Sequence, residues 1–230
     1  MDEYPEKEEG GMRAWKIYIL GTLIFIATGI GLTFLGDKGY FLKWLSGHRT
    51  AVMDHYFYHV TKLGEEAGFF IIGIIVWLRS WRRMVMIALL GGIVTLASYV
   101  LKNIFEQERP LLYLKRIGWK GPMDVLDYQL LTGHASFPSG HSMAAWALFT
   151  LTAALIRKTW VSILCLFLAA SVSISRVYLM AHFLRDVIAG AAVGFSFGVA
   201  MYMIYDNWMK KNRLLQEFGP ETDSQNNLVA

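Results

Sequence analysis

Six stretches of the chain are apolar and uncharged, and polar segments separate them. Two of them, residues 17–35 and 84–101, have 19 and 18 uncharged residues. A helix of about 20 apolar residues crosses the hydrocarbon core of a bilayer. The other four are residues 67–78, 142–156, 159–175 and 187–205. The pattern predicts an all-α polytopic membrane protein, a bundle of six transmembrane helices.

The second stretch is the shortest, with only 12 uncharged residues before Arg79. A helix that begins near Gly64 and runs to Trp81 is long enough to span if Arg79 extends its charged end to the interface. Residues 37–63, before this stretch, mix apolar and charged positions. That mixture is typical of one or two amphipathic helices at the membrane surface.

The polar segments predict the domain boundaries. We expect a disordered acidic tail at residues 1–14, a single six-helix domain at residues 15–208, and a flexible cytoplasmic tail at residues 209–230. Residues 106–137 form a polar insert within the domain. The N-terminus lacks the basic region and cleavage pattern of a secretory signal, so the first apolar stretch is interpreted as a retained span.

Basic residues collect at one side of the predicted bundle. The clusters are Arg13 and Lys16; Arg79, Arg82 and Arg83; Arg157 and Lys158; and Lys210, Lys211 and Arg213. With six alternating spans, all four clusters fall on the same face, which the positive-inside rule makes cytoplasmic. We therefore predict a multi-pass protein of the cell membrane with both termini in the cytoplasm.

Composition agrees with a membrane protein and excludes other classes. Hydrophobic residues make up 55% of the chain, and the mean hydropathy is +0.38. The net charge of +4 is modest and shows no basic stripe, so a lipid surface fits better as partner than nucleic acid. The single Cys165 excludes an intrachain disulfide.

Polar residues gather where four helix ends meet on the outer face. They are Lys102 and Arg109, Ser139-Gly140-His141, Arg176, and His182 with Asp186. Taken alone, a lysine at the end of a span is usually an anchor, and a Ser-Gly pair is often an ordinary helix cap. The convergence of four separate segments at one depth favours a site.

The residue types in this group suit phosphate chemistry. His182 and Asp186 are four residues apart, which on a helix would let the carboxylate hold one imidazole nitrogen. A histidine oriented in this way beside the guanidinium of Arg176 is a candidate nucleophile next to a phosphate clamp. The helix start at Ser139 and Gly140 offers free backbone N–H groups to an anion.

Other polar residues leave alternatives open. Two histidines and Asp186 could form a metal triad, but three nearby cations would repel a divalent ion, so no metal is predicted. Glu65 and Glu66 either contact a head group or are ordinary interfacial carboxylates. The remaining candidates, which form either a lid or a solvated loop, are His134, Asp124, Asp127 and Tyr128.

Three motifs together resemble a known family. Lys102-x6-Arg109-Pro110, Pro138-Ser139-Gly140-His141 and Ser175-Arg176-x5-His182-x3-Asp186 are similar, in order, to the three-part signature of the type-2 phosphatidic acid phosphatase superfamily. The resemblance covers roughly the C-terminal half of the chain. Each motif alone is weak, whereas three in order and correctly spaced about the spans are specific.

The resemblance implies a role for each motif residue. His182 would attack phosphorus and form a phosphohistidine, with Asp186 orienting it, and His141 would protonate the leaving oxygen. The phosphoryl oxygens would be bound by Lys102, Arg109, Ser139, Gly140 and Arg176. No cofactor is implied.

The function that follows is metal-independent hydrolysis of a lipid phosphate or diphosphate on the extracytoplasmic side. Phosphatidylglycerol phosphate, phosphatidic acid and undecaprenyl diphosphate are the candidate substrates, and the sequence does not choose among them. Alternatives are a lipid A phosphatase of the same class and a non-catalytic binder or transporter of phospholipids. The signature also resembles vanadate-dependent haloperoxidases, but these are soluble, and six apolar stretches argue against them.

Overall fold

The computed structural model describes residues 4–78, 80–122 and 131–218. Within them the chain forms nine α-helices and one short 3₁₀ helix, Thr61–Gly64, and no strand. The helices are α1 Tyr4–Thr33, α2 Tyr40–Gly47, α3 Ala51–Val60, α4 Glu66–Trp77, α5 Trp81–Phe105, α6 Pro110–Arg116, α7 Gly140–Ile156, α8 Thr159–Tyr178 and α9 Leu184–Phe218. The prediction of an all-α protein is confirmed.

Four helical stretches are long and apolar enough to cross a membrane. They are Glu9–Thr33, Trp81–Arg116, Thr159–Tyr178 and Leu184–Lys211, the second of which joins α5 and α6. Two further apolar helices, Glu66–Val76 and Gly140–Ile156, are shorter. Each of the six apolar stretches is thus helical, while the number of six spans stays a prediction.

The helices differ from the predicted boundaries at both ends of the chain. Helix α1 begins at Tyr4, within the segment predicted to be disordered, and α9 continues to Phe218. Charged residues such as glutamate and lysine are good helix formers, so a polar segment is compatible with a helix as well as with a tail. Residues 37–63 form α2, α3 and the 3₁₀ helix, and α6 lies inside the polar insert. Asp124, Asp127 and Tyr128 lie outside the described residues.

Helix α7 lies at the centre of the bundle and contacts α1, α4, α5, α8 and α9. The side chains of Trp146 and Phe149, which belong to this helix, are buried in the core. Its contact with α9 depends on small residues: a Cβ added to Gly194 would lie 2.2 Å from the backbone oxygen of Met143. Glycine at this position lets the two helix backbones approach closely, as in membrane helix pairs generally.

A buried polar network ties three helices together close to the helix ends that carry the predicted site residues. The Ser142 hydroxyl of α7 donates to the backbone oxygen of Val187 in α9, at 2.8 Å. It also lies 2.7 Å from the Ser173 hydroxyl of α8, which accepts from Trp146 Nε1 at 2.9 Å. Because Ser142 donates to Val187, Ser173 must donate to Ser142. Every hydroxyl in the network is satisfied, so the helix ends above it are held in fixed relation.

Apolar side chains cover much of the outside of the bundle. Exposed examples on α1, α4, α5 and α8 are Leu20, Ile24, Ile74, Leu96 and Phe167. A soluble monomer rarely exposes so much contiguous apolar surface, whereas lipid tails cover it without cost. The exposure pattern therefore agrees with helices that face a bilayer.

Candidate active site

His182 lies in the turn between α8 and α9. The backbone N–H groups of Ala181 and His182 both donate to the carbonyl of Arg176, at 3.0 and 3.1 Å. Met180 closes the turn with a φ of 55°. The sequence predicted His182 and Asp186 on one helix face, which is wrong, because α9 begins at Leu184 and His182 precedes it. The turn, rather than helical spacing, brings the two side chains together.

The carboxylate of Asp186 is the acid nearest to the imidazole. His182 Nδ1 and Asp186 Oδ2 are 3.8 Å apart, which is an ion-pair distance but too long for a hydrogen bond. Asp186 Oδ2 is held instead by the Ser136 hydroxyl at 2.6 Å and the Phe183 N–H at 3.1 Å. Burial lowers the pKa of His182 to about 4, so its imidazole is neutral at neutral pH. Nε2 is then the nitrogen left for chemistry.

Two guanidinium groups lie near His182, and a lysine side chain lies near both of them. Arg176, in the last turn of α8, is 1% exposed, and its Nη1 donates to Thr61 Oγ1 at 2.8 Å. Arg109 caps α6 and donates through Nη1 to the Ala181 carbonyl at 3.2 Å. The charges of both guanidinium groups act on His182, and Lys102 at the end of α5 is within electrostatic reach of both. The arrangement is a positive cradle around a neutral imidazole.

The start of α7 closes the other side of the cradle. Ser139 is the helix N-cap, and its backbone N–H donates to the Asp186 carbonyl at 2.9 Å. A Cβ added to Gly140 would lie 3.4 Å from Lys102 Nζ and 2.8 Å from Ser98 Oγ. Gly140 therefore leaves room for the lysine to approach the backbone at the helix start, where an anion is favoured.

His141 follows directly and is paired with a carboxylate. Its Nε2 lies 3.0 Å from Oε1 of Glu65, the residue that precedes α4. Glu65 was left open in the sequence analysis, and the structure brings it to the site. The hydrogen bond from His141 holds the pKa of Glu65 below its usual value, so Glu65 is ionised and the imidazole Nε2–H donates.

An apolar cavity of about 750 Å³ opens beside His141, between α4 and α5 with α7 as its floor. Lys102, His141 and Glu65 stand at one end, and Met84 lines the far end. Along α5 these ends are 18 residues apart, which corresponds to roughly 27 Å. The other lining residues are Gly64, Glu66, Phe69, Phe70, Gly73, Ile74, Ile87, Ala88, Gly91, Gly92, Val94, Thr95, Ser98, Tyr99, Gly140 and Ala144.

Several residues that support the site were not predicted from the sequence. Ser136 fixes Asp186, Thr61 accepts from Arg176, and Ser98 faces Gly140. Ser136 stands two residues before the Pro138 motif and could have been found by position, whereas Thr61 and Ser98 carry no local signal. His134 is exposed and makes no described contact with the site residues.

No group of three or more His, Cys, Asp or Glu side chains that could hold a metal ion occurs among the described residues. The predicted absence of a metal requirement is therefore a matter for experiment. His141 and His182 each have one carboxylate partner, Glu65 and Asp186.

Comparison with known proteins decides the family. The family model described as the PAP2 superfamily matches residues 80–210, more than half of the chain. The chain belongs to the PAP2 superfamily. The match contains all eight candidate site residues, from Lys102 to Asp186.

Individual PAP2 proteins resemble the chain over much of its length. Phosphatidylglycerophosphatase B of Bacillus subtilis (strain 168) is 29% identical over 150 residues, which cover 60% of this chain and 64% of that protein, slightly less than two thirds of it. The crystal structure of Aquifex aeolicus LpxE is 25% identical, with a TM-score of 0.58, over 70% of this chain and 91% of that one.

A second solved structure agrees in fold. It is the first transmembrane PAP2 type phosphatidylglycerolphosphate phosphatase from Bacillus subtilis, 22% identical with a TM-score of 0.59, covering 83% of this chain and 96% of that one. At this identity the likeness shows the fold alone. With four apolar helical stretches of spanning length, this PAP2 chain is a membrane protein.

Proposed function

We propose that the chain is an integral membrane lipid phosphatase that works through a phosphohistidine intermediate. The observation that carries the proposal is a buried His182 on which the charges of Arg176 and Arg109 act. Next to this cradle, Lys102 and His141 line one end of an apolar cavity that is long enough for a lipid tail. A phosphate head group and a hydrocarbon tail are the two parts of one ligand that would fill both regions.

In the first half-reaction, Nε2 of His182 attacks phosphorus while the bond from phosphorus to the leaving oxygen breaks. Asp186, near Nδ1, stabilises the positive charge that develops on the ring. Lys102, Arg109 and Arg176 bind the phosphoryl oxygens, with the hydroxyl of Ser139 and the N–H of Gly140. His141 gives its proton to the leaving oxygen, which departs in the lipid alcohol from a monoester or in the lipid monophosphate from a diphosphate.

In the second half-reaction, water attacks the phosphohistidine. His141, now neutral, takes a proton from the water as the oxygen bonds to phosphorus, and the P–N bond breaks to restore neutral His182. Inorganic phosphate is the second product. The same imidazole serves as acid and then as base, so the cycle needs no metal or other cofactor.

The relatives and the cavity guide the choice of substrate. Phosphatidylglycerol phosphate fits the name of the curated relative, and phosphatidic acid or undecaprenyl diphosphate would present the same phosphate with an apolar tail. A lipid A phosphatase is the alternative within the class. A binder that keeps the cradle without chemistry is disfavoured because both His182 and His141 are present.

The function is tested by phosphate release from detergent-purified protein in the presence of EDTA. Phosphatidylglycerol phosphate, phosphatidic acid, undecaprenyl diphosphate and a lipid A preparation are compared side by side. Release from any of them without metal supports the proposal, and the ranking identifies the preferred lipid. No release from all four, while an active PAP2 enzyme works in the same assay, would favour the binder.

Gly92→Phe is expected to impair hydrolysis of long-chain lipids selectively. Gly92 lines the cavity, and a Cβ there meets no atom within 4 Å, so the ring would occupy space meant for the tail. Losing the burial of two methylenes costs about 1.6 kcal/mol, which lowers kcat/KM about tenfold. A short-chain phosphatidic acid should be hydrolysed normally. Gly31→Phe, on α1 outside the cavity, is the matched control.

We propose six spans, with the site on the extracytoplasmic side and both termini in the cytoplasm. Lys120 is exposed in the insert that follows α6, and the chain's own Cys165 is buried. Lys120→Cys should therefore react with an impermeant thiol reagent in intact cells, and wild type should not. Labelling that requires permeabilised cells would reverse the orientation.

A further inference from the structure

The contact between Glu65 and His141 joins two parts of the chain that are 76 residues apart. Glu65 precedes α4 and lies outside residues 80–210, the segment matched by the family model. Both side chains line the mouth of the apolar cavity, and both are partly exposed, at 43% and 27%. The carboxylate is therefore in direct contact, at the cavity mouth, with the ring that would protonate the leaving group.

We propose that Glu65 is a positioning residue for His141, holding its Nε2–H and stabilising its protonated form so that Nδ1 delivers the proton to the leaving oxygen. The inference rests on the proposed function, in which His141 is the general acid. A carboxylate that accepts from one ring nitrogen fixes the ring's orientation, as the aspartate does in a Ser-His-Asp triad. It also offsets positive charge on the imidazolium.

The charges around His141 explain why such a partner is needed. Burial first, and then the positive charges of Arg176 and Lys102, disfavour protonation of His141, whereas the hydrogen bond to Glu65 favours it. The positive charges of Arg176 and Lys62 also favour the ionised form of Glu65. Asp186 of α9 is committed to Ser136 and the Phe183 N–H, and Glu66 lines the same cavity mouth. Among the described groups, Glu65 is the carboxylate bonded to His141.

The proton balance is complete without any other group. As the bond to phosphorus breaks, the Nδ1 proton of the imidazolium passes to the leaving oxygen, and the neutral ring keeps its Nε2–H on Glu65. Nδ1 is then the free base that takes a proton from the water in the second half-reaction. Glu65 stays ionised throughout and neither gains nor loses a proton.

The test is the pH dependence of kcat for Glu65→Gln, which keeps the shape of the side chain and removes its charge. Activity should fall at high pH, where His141 loses its proton. Without the charge of Glu65 the imidazolium is less stable, so this alkaline limb of the pH profile should move to lower pH. We expect a displacement of about 1 pH unit, typical of one close opposite charge. Glu65→Asp, which keeps the charge, should stay nearer to wild type. Glu106→Gln, at an exposed carboxylate that follows α5 and does not line the cavity, should behave as wild type.

A second measurement varies the leaving group. An alkyl phosphate needs its oxygen protonated, whereas p-nitrophenolate leaves without help, so Glu65→Gln should lose about tenfold or more on the first and little on the second. In a His141→Ala background, Glu65→Gln should have no further effect on either substrate. Melting temperature and elution profile in detergent, compared with wild type, establish that each variant is folded.

The outcomes separate the inference from the function. An unmoved alkaline limb in an active, folded Glu65→Gln protein, or an equal displacement in Glu106→Gln, would overturn the role of Glu65 and leave the phosphatase intact. If wild type itself releases no phosphate from any lipid, the proposed function fails instead. If Glu65→Gln does not fold, Glu65→Ser must move the limb in the same direction, and no movement there counts against the inference.

Discussion

His182→Ala is expected to lower phosphate release by at least about 10⁴-fold, because a nucleophile and its acid work as a unit and the remaining cradle only binds. The side chain is 2% exposed and makes no hydrogen bond through Nδ1 in the described structure, so its truncation removes no structural contact of that kind. The variant should therefore fold and still bind lipid. Phosphate release and lipid binding, measured on the same preparation, separate these effects.

The matched control is His59→Ala, since His59 is an exposed histidine on α3. It should retain wild-type activity. The intermediate gives a positive test as well: His141→Ala should slow hydrolysis of a phosphorylated His182, so an acid-labile, alkali-stable phosphoryl group should remain on the protein after quenching. Appreciable turnover by a folded His182→Ala protein would falsify the assignment of the nucleophile.

Gly194→Ala is expected to destabilise the protein strongly although the change adds one methyl group. The added Cβ would lie 2.2 Å from the Met143 carbonyl oxygen, a backbone atom that cannot move aside without shifting α7. Overpacking of this kind costs about 1–3 kcal/mol or more. Because α7 carries Ser139 and His141, while α9 follows His182, the shift should reduce activity together with the melting temperature in detergent.

Gly31→Ala is the control for the intrinsic effect of the substitution. It lies in α1, and a Cβ there meets no atom within 4 Å. In a helix, alanine is favoured over glycine by about 1 kcal/mol, so this variant should be as stable as wild type or slightly more so. Equal melting temperatures for the two variants would mean that the close contact between α7 and α9 is not essential.

How much the sequence could predict depends on the length scale of each feature. Apolar runs determine helices locally, so the six helical stretches and the all-α class follow from pattern alone. The ends of α1 and α9 do not, because charged residues such as Glu and Lys suit both a helix and a tail. The sequence also determines only weakly whether a short helix such as α4 crosses the membrane.

The same difference between local patterns and tertiary packing applies to the residues of the site. Lys102, His141 and Arg176 are recognised because each stands at the end of an apolar run, where a charge is conspicuous. The turn that holds His182 depends on backbone hydrogen bonds to the Arg176 carbonyl, which spacing does not reveal. Glu65 is brought to His141 by tertiary packing, which no local pattern reveals. Ser136 lies near the Pro138 motif in sequence, but its bond to Asp186 also depends on tertiary packing.

The position of the cavity between α4 and α5 has a kinetic consequence. Phe70, Ile74 and Tyr99 border it and are exposed on the apolar outside of the bundle. A tail bound there exchanges with the surrounding lipid or detergent phase rather than with water. Substrate saturation should therefore follow the mole fraction of substrate within the micelle or bilayer. Adding detergent at a fixed total amount of lipid should slow the reaction, as two-dimensional dilution requires.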